Sequence, residues 1–450
     1  MKRIDPRPSL TPTLDEQRDA LRKGLGRAVQ WAFAGTLEDA PLLEACTQNL
    51  VYDTQIDGLR TEWLWRLIEI ADGAERFRDA IHTALTPPTE RDDIAQLVGL
   101  AYHYAARGHE EFRSILYALV EHNPFPNDWP GLAEEEIVRL DGAEGFLFAV
   151  RIRGAQLADR KWEWDDHWLG EHAIKQLGRE KVAFLLEEGK DASVRRYYAG
   201  WLRDQQEKEE RGRLPKSERG KDAYVARMKR IPFDKVVEDI QGTTNMKYIL
   251  RGWGAHASDE HLRTVLDLLW SAESPAVSIN ALAVFAKRPL PTFDPRLIDL
   301  CTHADEDVRG QAFSALAMNT HPLVRAFALS RIQAPLHPTT VGLFIQNYER
   351  GDEDLLVKAL ELPNDVDDIH WLMGEILEML EENEEADPSA LGLIIYANTP
   401  CQQCRVRAVR LLRDRTTLPD WMPDECRYDA EEECRKLFNE TSETDPQNDR

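Results

Sequence analysis

Apolar residues fall at helical spacing along this chain, and residues 305–332 show the rule most plainly. Val308-Arg309 is followed by Ala312, Phe313 and Leu316. Sixteen residues on, Val324-Arg325 is followed by Ala328, Leu329 and Ile332. Positions 0, +4, +5 and +8 share one face of a helix. An acidic residue before the first copy, and the proline of His321-Pro322 before the second, signal helix starts. Weaker copies lie at Val194-Arg195 with Tyr198, Ala199 and Leu202, and at Val277 with Ala281, Leu282 and Phe285. Another is Cys404-Arg405 with Ala408, Val409 and Leu412, and a truncated copy begins at Cys434-Arg435.

The same spacing predicts helices over 15–33, 38–49, 61–71, 74–85, 90–107, 110–122, 132–140, 144–157, 166–177, 179–188 and 192–206. Turn signals such as Thr86-Pro87-Pro88 and Asp141-Gly142 separate them. From 233 the helices pair more regularly: 245–255 with 259–270, 276–287 with 294–303, and 306–318 with 322–332. Then come 339–348 with 353–361, 366–382 with 388–397, and 403–414 with 420–428, closed by 430–439. No sustained period-two alternation occurs, so the fold class is all-α. The organisation read from this pattern is a disordered lead-in over 1–13, irregular helical hairpins over 14–206, and a charged linker or protruding loop over 207–232. A repeat region follows over 233–440, with a disordered tail over 441–450.

Val277 and Val308 stand 31 residues apart, close to the length of one two-helix repeat. Helix pairs recurring at 30–45 residues build a solenoid. On these residues the chain resembles the HEAT-repeat proteins, α-solenoids whose first helices often open with Asp-x-x-Val-Arg-x-x-Ala. The match is good over 274–332, moderate at 191–202 and 401–438, and faint elsewhere. The segment from Asn398 to Leu437 is also similar to the ends of uncharacterised bacterial HEAT-repeat proteins. The resemblance implies a right-handed stack of antiparallel helix pairs, HEAT-like and armadillo-like, and carries no chemistry.

Composition narrows the function classes. The net charge of −24 opposes a general attraction to duplex nucleic acid or anionic membrane. No apolar run is long enough to span a bilayer, and no apolar segment follows the basic N-terminus as a secretory signal requires. Six cysteines in 450 residues are too few for a disulfide scaffold, and point to a reducing cytoplasm. Two segments depart from the mean charge. Residues 211–235 carry nine Lys/Arg against three acids, and 352–387 carry 14 acids against Lys358. The first is a solvated loop or helix end, or else an anion or partner contact. The second is a solvated face, or a surface that attracts a basic partner.

Few residues carry candidate chemistry. Cys401 and Cys404 have the CxxC spacing that suits zinc, and Cys426 lies downstream. A strong zinc signature pairs two such knuckles, whereas Cys426 and Cys434 are eight residues apart. The repeat alignment explains Cys404 and Cys434 as core positions of separate repeats, so no metal and no cofactor is expected. His167 and His172 flank Glu171 but stand five apart, which takes them off one helix face. Trp162, Trp164 and Trp168 form either a core wedge or an exposed anchor patch. The motif arginines Arg195, Arg309, Arg325 and Arg405 are expected to pair with acids of neighbouring repeats. No P-loop, GxSxG or HExxH is present.

The expectation is therefore a non-enzymatic scaffold or adaptor. Its binding residues would be Glu381, Glu382, Glu384 and Glu385 for a basic protein, with the three tryptophans as a second patch. The alternative class is a HEAT-like enzyme or lyase-type chaperone, of the kind that attaches chromophores or repairs nucleic acid.

Overall fold

Thr13 opens the first helix, Leu14–Lys23, with a capping box: its hydroxyl accepts from Glu16 N, and the Glu16 carboxylate accepts from Thr13 N. The chain before it is fastened too, since Trp31 donates its indole N–H to Ser9 O at 2.8 Å. The predicted helix 15–33 is two helices, Leu14–Lys23 and Arg27–Phe33. Gly24 takes the left-handed conformation at φ 73°, and Leu25 N reaches back to Ala20 O, which ends the first helix.

The computed structural model describes residues 7–86, 93–159, 168–213 and 220–438. Helix makes up 67% of it, about twice the share in an ordinary globular domain, and the described residues form no strand. The charged segment after 206 is largely helical: one helix runs Ala192–Arg213 and another Gly220–Arg230. The disordered tail expected over 441–450, and the first six residues of the lead-in, lie outside the described residues.

Two compact units form. One joins Arg7–Arg213 to residues 421–438, so the chain leaves this unit and returns to it. This divides the expected repeat region 233–440 after Asp420. The reason is a set of strong contacts made by 421–438. Arg27 forms a buried two-point pair with Glu425, Trp63 donates to Tyr428 O at 2.9 Å, and Ala430 N donates to Gly24 O at 2.9 Å. A Cβ on Gly26 would lie 1.9 Å from Glu425 O, so only glycine lets the two segments meet. Further along the unit, Tyr104 stacks on Phe112 at 4.6 Å, and Arg153 forms a buried pair with Glu134 at 2.6 Å.

The other unit, Leu214–Asp420, is a row in which alternate helices pack on one another. Lys247–Gly254 packs on Pro275–Ala283, then come Glu306–Ala317, Pro338–Gly342, Val366–Glu382 and Gln402–Asp414. Helices between them pack against members of the row, for example Asp259–Trp270 on Pro275–Ala283 and Ser389–Asn398 on Gln402–Asp414. Asp305 caps Glu306–Ala317 by accepting from Val308 N at 3.0 Å. Val308, Ala312 and Leu316 are completely buried, the face that the apolar spacing selected.

Asparagines stitch this row together. Asn280 donates to Asp239 O and Thr244 O and accepts from Met246 N. Asn319 accepts from Leu290 N and donates to Ala315 O. Asn347 accepts from His321 N and donates to Asn319 O, and Asn383 donates to Ile345 O. Each side chain satisfies backbone groups of an earlier segment in the row, where the turns leave them without helical partners.

Candidate functional site

Four helices of the row, with the turn after Pro275–Ala283, contribute to one groove of about 660 Å³. Gly310, Phe313, Ser314 and Ala317 come from a single stripe of Glu306–Ala317, and Trp371, Glu375 and Glu378 from a stripe of Val366–Glu382. Spacing by three and four puts each set on one helix face. Ala286, Gly342 and Ile345 fill in the floor with small or apolar groups. Arg251 comes from the first helix of the row and Lys287 from the turn after the second, whereas Glu375 and Glu378 come from the fifth, so the groove is basic at one end and acidic at the other.

Trp371 is exposed and donates its indole N–H to Glu375 Oε1 at 3.2 Å. Burial raises the Glu375 carboxyl above its usual range, the Trp371 hydrogen bond opposes this, and nearby Glu378 adds to it. Open space lies over Gly310, where an added Cβ would meet nothing within 4 Å.

The acidic residues named from the sequence sit just beyond this groove. Glu381 is held by Arg407 through two hydrogen bonds, at 3.0 and 2.6 Å. Glu382, Glu384 and Glu385 are exposed, and Arg415 fastens their turn by donating to Asn383 O and Ala386 O. The acids that line the groove are Glu375 and Glu378, earlier in the same run. Of the motif arginines, Arg325 pairs with Asp352 of the next segment at 2.7 Å. Arg309 instead donates to the carbonyls of His303 and Ala304, and Arg405 is completely buried.

A second concavity, of about 380 Å³, lies in the unit that includes Arg7–Arg213. Trp129 and Trp168 stand over Leu59, Val98 and Leu169, with Glu134, Glu135, Glu136 and His172 on the wall. Trp168 is 60% exposed, while Trp162 and Trp164 lie outside the described residues. His172 Nδ1 meets Glu135 Oε2 at 3.1 Å. Burial pushes the Glu136 carboxyl up to about 7, with Glu135 adding to the shift and Arg139 opposing it.

The remaining cluster combines two helices of the row. His370 of Val366–Glu382, with Cys401 and Cys404 at the start of Gln402–Asp414, brings three donor atoms within 4.8 Å of one another. His370 Nδ1 is 3.8 Å from Cys404 Sγ. Cys426 belongs to the other unit, buried next to Glu425 in sequence, and is not part of this group. Sequence reasoning named both cysteines and missed the histidine. No family model matches this chain, and neither a curated protein nor a solved structure is significantly similar to it.

Proposed function

We propose that this protein is a non-enzymatic adaptor whose helix row is a HEAT-like solenoid, and that the groove holds an extended peptide segment of a partner protein. The observation that carries the reading is the groove itself, built from four alternate helices of the row and the turn after Pro275–Ala283. Recurrent asparagine bonds and the recurring Val-Arg motif support the solenoid. An exposed tryptophan over a small-residue floor is the kind of anchor that dominates protein interfaces. The charge at the two ends selects direction: a basic side chain at Glu375 and Glu378, an acidic group at Arg251 and Lys287. Six buried thiols support a reducing, cytoplasmic place of work.

The test compares captures. Proteins retained by the full chain and lost with Trp371→Ala, and again with Ala317→Trp, which fills the groove, would be its partners. Identical captures by wild type and both variants would end this reading.

The second concavity favours one other reading, an acid–base or ligand-holding site of the enzyme or lyase-chaperone class. Its support is a carboxyl near neutrality beside a histidine and two tryptophans. A small-molecule thermal-shift screen in which Glu136→Gln and Trp168→Ala abolish the same hit would move the assignment there.

A further inference from the structure

We propose that His370, Cys401 and Cys404 form a Cys2His site for one zinc ion, pinning two helices of the row together. Zinc lies about 2.3 Å from thiolate sulfur and about 2.0–2.1 Å from imidazole nitrogen. At tetrahedral angles those lengths put sulfur and nitrogen about 3.6 Å apart. The Nδ1–Sγ distance of 3.8 Å is within a small adjustment of that value. The three donors already converge within 4.8 Å, so no helix has to move for an ion to be held.

The local chemistry suits a soft divalent cation. Cys401 is the N-cap of Gln402–Asp414 and Cys404 lies in its first turn, so both sulfurs sit at one helix end. Both cysteines are buried, so two thiolates there need a compensating charge. Two thiolates and a neutral imidazole balance the charge of Zn²⁺. Sulfur with imidazole selects zinc over the hard cations magnesium and calcium. His370 is the one ligand that is not fully buried, so the fourth position opens on its side, to water or to a donor brought by a partner. The sequence expectation of no metal rests on the cysteine spacing and on Cys404 and Cys434 reading as core positions of separate repeats, neither of which points to His370. The histidine comes from the preceding member of the row.

Zinc is measured in the full chain purified without chelators, by elemental analysis and native mass spectrometry, with one zinc per chain expected. Cobalt(II) added to the stripped protein should give a thiolate-to-cobalt charge-transfer band and the intense visible bands of a tetrahedral site. Cys401→Ser and Cys404→Ser should each abolish the band, and His370→Ala should weaken cobalt binding by about tenfold or more. Cys426→Ser should leave it intact. Circular dichroism on every variant separates metal loss from unfolding. A folded wild type with neither zinc nor the cobalt band overturns the proposal. So does a Cys401–Cys404 disulfide in freshly isolated protein, which would make the cysteines a redox pair. Metal that persists in His370→Ala with unchanged affinity overturns the histidine's part.

Discussion

Arg27 and Glu425 stand 398 residues apart in sequence and meet in a buried, two-point ion pair, Nε to Oε1 at 2.7 Å and a second nitrogen to Oε2 at 3.1 Å. Removing one partner leaves the other charge buried without this two-point pair. Arg27→Ala or Glu425→Ala should therefore destabilise this unit by about 3–5 kcal/mol in chemical denaturation. Removing both should cost less than the sum, because neither charge is then left alone. Additive losses would show that the pair does not act as a unit.

Asn319 serves two segments of the helix row at once, accepting from the buried Leu290 N–H while donating to Ala315 O. Alanine cannot replace either bond. Asn319→Ala should cost about 1–3 kcal/mol, the cost of leaving a buried donor unsatisfied. Hydrogen exchange at Leu290 should rise in the variant. An unchanged rate there would mean that the side chain is not what protects it.

How legible these features were depends on the range of the interactions behind them. The helix Glu306–Ala317 was readable because its cap at Asp305 and its buried face at Val308, Ala312 and Leu316 lie within twelve residues of one another. The expected helix 15–33 runs through Gly24 because a glycine within helical spacing looks alike whether it continues or ends the helix, and only its φ, 73° here, decides. The return of 421–438 was invisible for a different reason. Arg27 and Glu425 are unremarkable residues in their own windows, and nothing local links them. His370 could have been found: it lies 34 residues before Cys404, within the 30–45-residue spacing expected of helix pairs from the sequence. The groove acids Glu375 and Glu378 were inside the acidic run that drew notice, but charge density pointed to its exposed end.

Glu136 gives a pH signature. The folded protein keeps this proton up to about pH 7, whereas an ordinary glutamate releases it near 4.5. Between those values the folded state binds more protons than the unfolded one, so this group's contribution to stability falls as pH rises through the window. A salt-bridged carboxylate does the reverse. Glu136→Gln should flatten the decline between about pH 4.5 and 7 and be relatively more stable than wild type at pH 8. Thermal melts across the range decide it, and parallel curves would show that Glu136 ionises normally.

Charge at the groove's acidic end should matter for binding more than charge beyond it. Glu375→Gln with Glu378→Gln should slow association and reduce its salt dependence. Glu382, Glu384 and Glu385 changed together to Gln should alter affinity by no more than about twofold, since exposed charges far from a contact are screened. Surface plasmon resonance with the captured partner at two ionic strengths makes the comparison. The opposite ranking would move the contact to the exposed turn.

The contacts of 421–438 with Gly24, Gly26, Arg27 and Trp63 also set a schedule for synthesis. A ribosome that has delivered residue 213 must make about 210 more before this unit's last piece exists, roughly 10–40 s at ordinary elongation rates. During that interval the Arg27 guanidinium and the surface around Gly26 face water, while the intervening unit emerges with all its own helices in hand. The later-made segment can fold first, and the earlier-made one waits with an open seam. A chaperone that reads exposed apolar surface on nascent chains would find it there, and a ribosome stalled before Glu425 would leave the seam unclosed.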